Sequence, residues 1–298
     1  MPGKITSSKN VKEELAAKNF APRKSLGQNF LIDENILQKI TAAGCLDKQD
    51  VVLEIGPGLG ALTEKLLESV NHVIAVEYDR GLCSILAERL AGNQGFTLIN
   101  RDILETNLPQ LFGAFPGNLF HYKVIANLPY YITTPVIFEL IESGLPWERM
   151  VFLVQKEVAD RLNAKPGGKD YGALTVMLGY YGKVEKIGVV PRTVFYPKPQ
   201  VDSAIIRIMP SPDRWDPEIY PYLRRVVQAA FGQRRKTILN ALASMSDFEE
   251  NKLNLISCLR ELRIDPQRRG ETLTLPEFLN LALEIYSRQS RGYNNGIR

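Results

Sequence analysis

Histidine is nearly absent from this 298-residue chain, and cysteine and tryptophan are scarce. The two histidines, His72 and His121, both stand at the start of runs that read as strands. A Ser-His-Asp triad or a histidine-rich metal centre is therefore not expected, and no metal ligands are identified. Cys45, Cys83 and Cys258 lie far apart in apolar surroundings, with neither a disulfide framework nor zinc spacing. That usage suits a reducing compartment and predicts a cytoplasmic protein. Long hydrophobic runs are missing as well. Val124 to Phe138 is the longest stretch of low charge, but it is too short to cross a bilayer and contains Pro129 and Pro135. Met1 to Phe20 alternates Lys with Glu without an apolar core, so neither a secretory signal nor a membrane partner is expected.

What is present is an ordinary globular composition, 45% hydrophobic and 23% charged, in a chain long enough for a large domain and a small one. The net charge of +4 is unevenly placed. Residues 213–298 hold 14 Lys+Arg against 11 Asp+Glu, and the remainder holds 23 against 22. The basic residues of this tail cluster as Arg224-Arg225, Arg234-Arg235-Lys236 and Arg268-Arg269, which points to an anionic polymer. A solvated helix end would also account for such a cluster.

Hydrophobic periodicity predicts a short helix over Lys9 to Lys18, then a helix capped by Asp33 and stopped by Gly44. Strands follow at Val51–Ile55, His72–Glu77, Phe96–Asn100, His121–Ala126 and Met150–Val154, separated by helical patterns. Such alternation argues for a parallel sheet with helices on both faces. Two further strand-like runs, Lys183–Val190 and Val201–Met209, are joined by a connection too short for a helical crossover, so an antiparallel pair is expected. Beyond a linker at Pro210-Ser211-Pro212 the chain reads as helical to its end.

In an open α/β sheet, ligands bind beyond the carboxyl ends of the strands. Gly56, Glu77, Asp102 and Asn127 all fall there. The turn Gly56-Pro57-Gly58-Leu59-Gly60 lets the backbone approach a ligand, although glycines after a strand can also simply turn the chain. Its spacing departs from G-x-G-x-x-G, so a nicotinamide cofactor is not the default. Glu77 lies about twenty residues past the first glycine, where an acid can accept both ribose hydroxyls. Asp102 can accept from an exocyclic amine. Either alone could be a surface carboxylate; together they suggest an adenosine-containing cofactor. Asn127-Leu128-Pro129-Tyr130 combines an amide oxygen, backbone carbonyls and a ring face, a set suited to a flat base carrying an amino group. A turn with a half-buried tyrosine is the plainer reading.

Six ordered stretches carry a resemblance: Lys24 to Leu31, Glu54 to Gly60, Asn127 to Tyr130, Gln155 to Val158, Phe195 to Ala204 and Ala230 to Thr237. Together they resemble the rRNA adenine dimethyltransferases, most closely the KsgA-type branch, which dimethylates N6 of two adjacent adenosines near the 3′ end of small-subunit (16S) rRNA. The resemblance implies a Rossmann-like class I S-adenosylmethionine methyltransferase of α/β class. Its seven-stranded, mostly parallel sheet would have an antiparallel last strand and be followed by a small all-helical domain. The domains would be residues 1–209, with a cofactor-covering segment over 1–48, and residues 213–298, binding rRNA.

By the same resemblance, Asn29, Leu31, Gly56, Gly58, Glu77, Asp102, Ile103 and Asn127 would bind S-adenosylmethionine. Asn127, Leu128, Pro129 and Tyr130 would present the target N6, with Tyr130 and Phe195 sandwiching the flipped adenine. Arg234, Arg235 and Lys236 would contact rRNA phosphates. Arg101 departs from the pattern, standing where the family often has Gly. The implied partner is small-subunit rRNA in an immature 30S particle, bound by a monomer. Two other readings share these motifs: a large-subunit (23S) rRNA adenine methyltransferase of the macrolide-resistance type, and an assembly checkpoint factor whose methylation is secondary.

Overall fold

The computed structural model describes residues 5, 7–113, 121–211, 216–245 and 252–295. Pro212 of the expected linker lies outside them, as do residues 1, 213 and 298 that bound the expected domains. The chain forms two compact units, one of Met1–Ala159 with Glu185–Pro210, the other of Asp160–Val184 with Ser211–Arg298. The first unit begins with helix α1 (Ser8–Ala17), a two-residue strand β1 (Phe30–Leu31) and helix α2 (Glu34–Gly44). Then strands and helices alternate: β2 (Asp50–Ile55), α3 (Ala61–Leu67), β3 (His72–Glu77), α4 (Arg80–Arg89), β4 (Phe96–Asn100), α5 (Leu108–Gly113), β5 (His121–Asn127), α6 (Thr133–Glu142) and β6 (Trp147–Gln155). Helices α7 (Lys156–Leu162) and α8 (Ala173–Tyr181) precede β7 (Gly182–Val190), β8 (Phe195–Tyr196) and β9 (Ser203–Pro210).

Seven strands make one sheet in the order β4-β3-β2-β5-β6-β9-β7. Pairing is parallel from β4 through to β6, and the last strand, β9, enters antiparallel to β6. Every residue of β2 is buried, as expected of a central strand covered on both faces. Strand order reverses beside β2, since the chain leaves it for β3 on one side and returns at β5 on the other. The carboxyl ends of β2 and β5 therefore frame a switch-point crevice. On one face α2 and α3 bury Leu37, Ile40 and Leu66 against Val52, Val73 and Ile125. Ile5, Val11 and Leu15 pack with Phe30, Leu59 and Leu82 in a second cluster, which ties the N-terminal segment to the glycine turn.

Local chemistry explains the boundaries. Ser7, Asp33 and Asp79 cap α1, α2 and α4, each accepting a hydrogen bond from a first-turn N–H. The sequence places the stop of α2 at Gly44, but the left-handed cap is Cys45, at φ 46°. Gly44 is small for packing reasons, because a Cβ there would meet Ile125 Cδ1 at 2.6 Å.

The second unit adds α9 (Tyr220–Gly232), α10 (Ile238–Leu242), α11 (Lys252–Glu261) and α12 (Leu275–Asn295). Periodicity missed α8, whose ALTVMLGYY sequence is apolar on every face and so shows no amphipathic stripe. The expected boundary near residue 210 consequently assigns residues 160–184 differently from the structure. The segment before α8 is stitched to the tail: Gly167 N–H donates to the Glu271 carbonyl at 2.8 Å, Tyr171 Oη to the Leu273 carbonyl at 2.9 Å, and the Tyr171 ring meets Phe231 edge-on at 5.8 Å.

Candidate functional site

The carboxyl ends of β2, β3 and β5 open into a cavity of about 1070 Å³, part of it open to solvent. Its rear wall is the glycine turn after β2. Gly56 and Gly58 hold φ of +66° and +60°, in the left-handed region that L side chains avoid. At Gly58 a Cβ would also press on the Phe30 ring at 3.1 Å. Freed of side chains, this turn brings its N–H groups to the acid at the end of β3. Gly58 N–H donates to Glu77 Oε2 at 3.2 Å and Asp79 N–H to Oε1 at 2.9 Å. Burial raises the pKa of Glu77, and these two N–H groups offset only part of that rise. Both carboxylate oxygens keep acceptor capacity, enough for a pair of vicinal hydroxyls.

Asp79 extends the network outwards. Its Oδ1 caps α4, its Oδ2 accepts from Gln28 Nε2 at 3.0 Å, and the Arg23 guanidinium stands 3.5 Å away. Gln28 in turn accepts from Arg23 N–H at 2.7 Å. The loop before β1 is thus clasped to the end of β3, which brings Asn29 and Leu31 into the lining. At the β4 end, Asp102 Oδ1 accepts from Leu104 N–H at 2.9 Å while Ile103 is buried in the wall beneath.

Asn127 closes the opposite side. Its Nδ2 donates to the Asn29 carbonyl at 3.1 Å, an orientation that leaves Oδ1 as acceptor. Pro129 lies against the glycine turn, 3.6 Å from where a Gly56 Cβ would stand. Tyr130 is anchored by a 2.8 Å hydrogen bond between its hydroxyl and Ser203 Oγ, so its ring is held in place on the lining. The structure therefore brings together Asn29, Leu31, Gly56, Gly58, Glu77, Asp102, Ile103, Asn127, Leu128, Pro129 and Tyr130 around one cavity.

Phe195 is the exception. Strand β8 pairs with β1 so that Phe195 faces Leu31, and its ring packs into the core with Val190 and Ile205 at 3% exposure. It does not line the cavity and offers no free ring face in this conformation. Residues outside the sequence-based set do line it: Gln28, Glu54, Tyr78 and Tyr131. Tyr131, 55% exposed, stands at the mouth against Gly27, and burial together with Asp102 and Glu77 raises its hydroxyl's pKa. A second tyrosine in Tyr130-Tyr131 was the available signal. Glu54 offered another, being an acid inside an otherwise apolar strand.

The basic residues of the second unit divide. Arg234 donates from Nη2 to the Tyr171 carbonyl at 2.6 Å and lies 3.9 Å from Glu271, so part of its capacity is spent internally. Arg268 is likewise held by Glu277 and the Thr272 carbonyl. Arg235 and Lys236 are exposed, and their side chains form no hydrogen bond or ion pair among the described residues. Thr237 pairs with Arg269 in an antiparallel bridge, which sets exposed Arg269 beside them.

Among the described residues, no cluster of His, Cys, Asp or Glu could hold a metal, and no helix is long and apolar enough to cross a membrane. Residues 19–281 match the family model described as ribosomal RNA adenine dimethylase. The chain is 45% identical over 287 residues to the ribosomal RNA small subunit methyltransferase A of Anoxybacillus flavithermus, covering 95% of this chain and 96% of that one. It is 44% identical over 280 residues to the protein of the same name from Bacillus cytotoxicus, covering 93% and 96%. Among solved structures, a dimethyladenosine transferase from Plasmodium falciparum superposes with a TM-score of 0.74 at 28% identity, over 87% of this chain and 98% of that one.

Proposed function

The chain belongs to the ribosomal RNA adenine dimethylase family, and on that premise we propose that it transfers methyl groups from S-adenosylmethionine to N6 of two adjacent adenosines near the 3′ end of small-subunit rRNA. The observation that carries this reading is Asn127. One N–H of its NH₂ is given to the Asn29 carbonyl, which orients the amide so that Oδ1 is left to accept from a ligand, as the amino group of adenine requires.

The cavity's donor set fits the cofactor: Glu77 for a ribose, Asp102 for an adenine amine, a glycine turn for close approach, and a buried acid with an unpartnered oxygen at the floor. When bound, the cofactor supplies a methyl group on a positively charged sulfur. The chain's own work is alignment. Asn127 Oδ1 and the Leu128 carbonyl would accept the N–H groups of the target base, which frees the amine lone pair from the ring. Tyr130, fixed by Ser203, would offer a face for stacking. Phe195 would join from the other side only after β8 shifts from its pairing with β1.

Arg235 and Lys236, with Arg269 beside them, would meet rRNA phosphates, and Arg234 would contribute less. The partner we propose is an immature 30S particle, engaged by a monomer in the cytoplasm. Both curated relatives carry small-subunit names, which favours this reading over a large-subunit substrate. Mass spectrometry of rRNA from undermethylated small subunits, incubated with protein and donor, is expected to show two N6,N6-dimethyladenosines. Transfer to large-subunit rRNA alone would overturn the assignment.

A further inference from the structure

Two aromatic rings reach out of the cavity. Among its lining residues Tyr78 and Tyr131 are 58% and 55% exposed, whereas Phe30 is buried and Tyr130 half-buried. An exposed ring is ordinary when isolated, but these two stand on the rim of one site, close enough for Tyr78 to act on the Tyr131 hydroxyl. They belong to different sides of it. Tyr78 follows Glu77, the acid proposed for the donor ribose. Tyr131 directly follows Asn127-Leu128-Pro129-Tyr130, the turn proposed for the target base. That turn is braced: Leu128 N–H donates to the Leu153 carbonyl at 3.2 Å, and Ile132 N–H and Thr133 Oγ1 both donate to the Pro129 carbonyl at 3.2 Å. One edge of the Tyr131 ring rests on Gly27, with Cδ1 3.7 Å from where a Cβ there would stand. Yet among the described residues the ring has no aromatic partner and its hydroxyl no hydrogen bond. Tyr130, by contrast, is tied to Ser203. One ring is fixed inside the cavity, and the next along the chain is set at its mouth.

We propose that Tyr131 is a second base subsite, stacking against the nucleotide next to the adenosine held in the cavity. The proposal rests on the reading of that cavity as the acceptor site for two adjacent adenosines. Drawing one base out of its helix leaves the neighbouring base without a stacking partner, and an aromatic ring at the mouth replaces what was lost. Consecutive rings, Tyr130 and Tyr131, then serve consecutive bases. Stacking needs only a π-face, so this subsite makes no demand on hydrogen-bonding groups. That matters for a reaction performed on both bases. A finished N6,N6-dimethyladenine has no N–H left for Asn127 Oδ1 or the Leu128 carbonyl, but it keeps its ring face. Tyr131 therefore accepts the neighbour before or after its own methylation.

A double-mutant cycle tests this, with Tyr131→Ala on one side and, on the other, small subunits reconstituted with an abasic residue in place of one or the other target adenosine. Methyl transfer to the remaining adenosine is read as kcat and KM. With the unmodified protein, at least one abasic substrate is expected to raise KM about tenfold, the scale of a single base–aromatic stack. The position that does so names the stacked neighbour. Tyr131→Ala should raise KM for intact subunits by a similar factor and add no further rise with that abasic substrate. Tyr131→Phe, which keeps the ring, should bring KM back to within about threefold of the unmodified protein. Calorimetric donor affinity should stay within about twofold in Tyr131→Ala; a fall of about tenfold would make the ring a lid on the donor and overturn the proposal. Effects of Tyr131→Ala and the abasic residue that simply multiply would overturn it as well, as would abasic substrates without penalty. Absence of transfer to small-subunit rRNA by the unmodified protein would overturn the acceptor reading and the proposal with it.

Discussion

The strand-end cavity and the basic loop of residues 233–237 hold their charges in opposite ways. In the cavity key polar groups are held one by one, with buried Glu77 receiving two backbone N–H groups and Asn127 tied to a backbone carbonyl. In the loop the cations are exposed, and the Arg235 and Lys236 side chains form no hydrogen bond or ion pair among the described residues. Fixed buried dipoles suit a small ligand whose atoms must be aligned. Loose surface cations suit a polyanion bound through counterion release, where position matters little. The contrast teaches that chemistry and affinity are carried by different kinds of residue in this chain.

The sharpest test of that division is Asn127→Ala. Methyl transfer should fall about a hundredfold or more, because alignment is lost at the reacting amine, while filter binding to rRNA stays within twofold. Loss of both would break the comparison. Next comes Gly58→Val, which forces a β-branched residue to φ +60° against the Phe30 ring. Backbone strain of about 1–3 kcal/mol predicts donor affinity lower by about tenfold or more in calorimetry, with rRNA affinity unchanged. On the other side, replacing Arg235 and Lys236 together by Ala should reduce the slope of log affinity against log salt by about two, with donor affinity untouched. An unaltered slope would make them merely solvated.

Arg234→Ala sharpens the contrast further. It should change the salt slope less than either neighbour and instead lower thermal stability by about 1 kcal/mol, since its bond to the Tyr171 carbonyl is lost. The smallest effect concerns pH. The Glu54 carboxyl is raised from 4.5 to about 8 in the folded chain. The folded state therefore holds a proton that the unfolded chain has released. Its contribution to stability is full below about 4.5 and is lost as pH rises towards 8. Thermal melts of the ligand-free protein should fall across that window, and Glu54→Gln should flatten part of the fall.

Legibility in the sequence followed physical range. The sheet strands of the first unit were readable because a central parallel strand is apolar throughout, and the residues at their ends inherit positions from the topology. Gly56, Glu77, Asp102 and Asn127 came together for that reason, whereas Asn29 was carried by the family resemblance. Phe195 could not be placed, because whether its ring faces the cavity or the core depends on the register of β8 against β1, a contact between residues more than 160 positions apart. Gln28 and Asp79 were missed since their link joins two loops distant in sequence. Helix α8 left no periodic trace because all its faces are apolar. Arg234 looked like its neighbours, and only its contact with the Tyr171 carbonyl separates it from them.

The interrupted make-up of the second unit has a consequence for the order of synthesis. The ribosome delivers α8, with Leu174, Met177, Leu178 and Tyr181 all buried in the finished protein, before any residue of α9 or α12 exists. The sheet of the first unit can close once β9 has emerged, leaving an apolar helix waiting for its partners. The nascent chain is most vulnerable to aggregation while residues 211–295 are still being made. A ribosome stalled just after β9 has cleared its exit tunnel would carry a finished sheet and a sticky, unfinished neighbour.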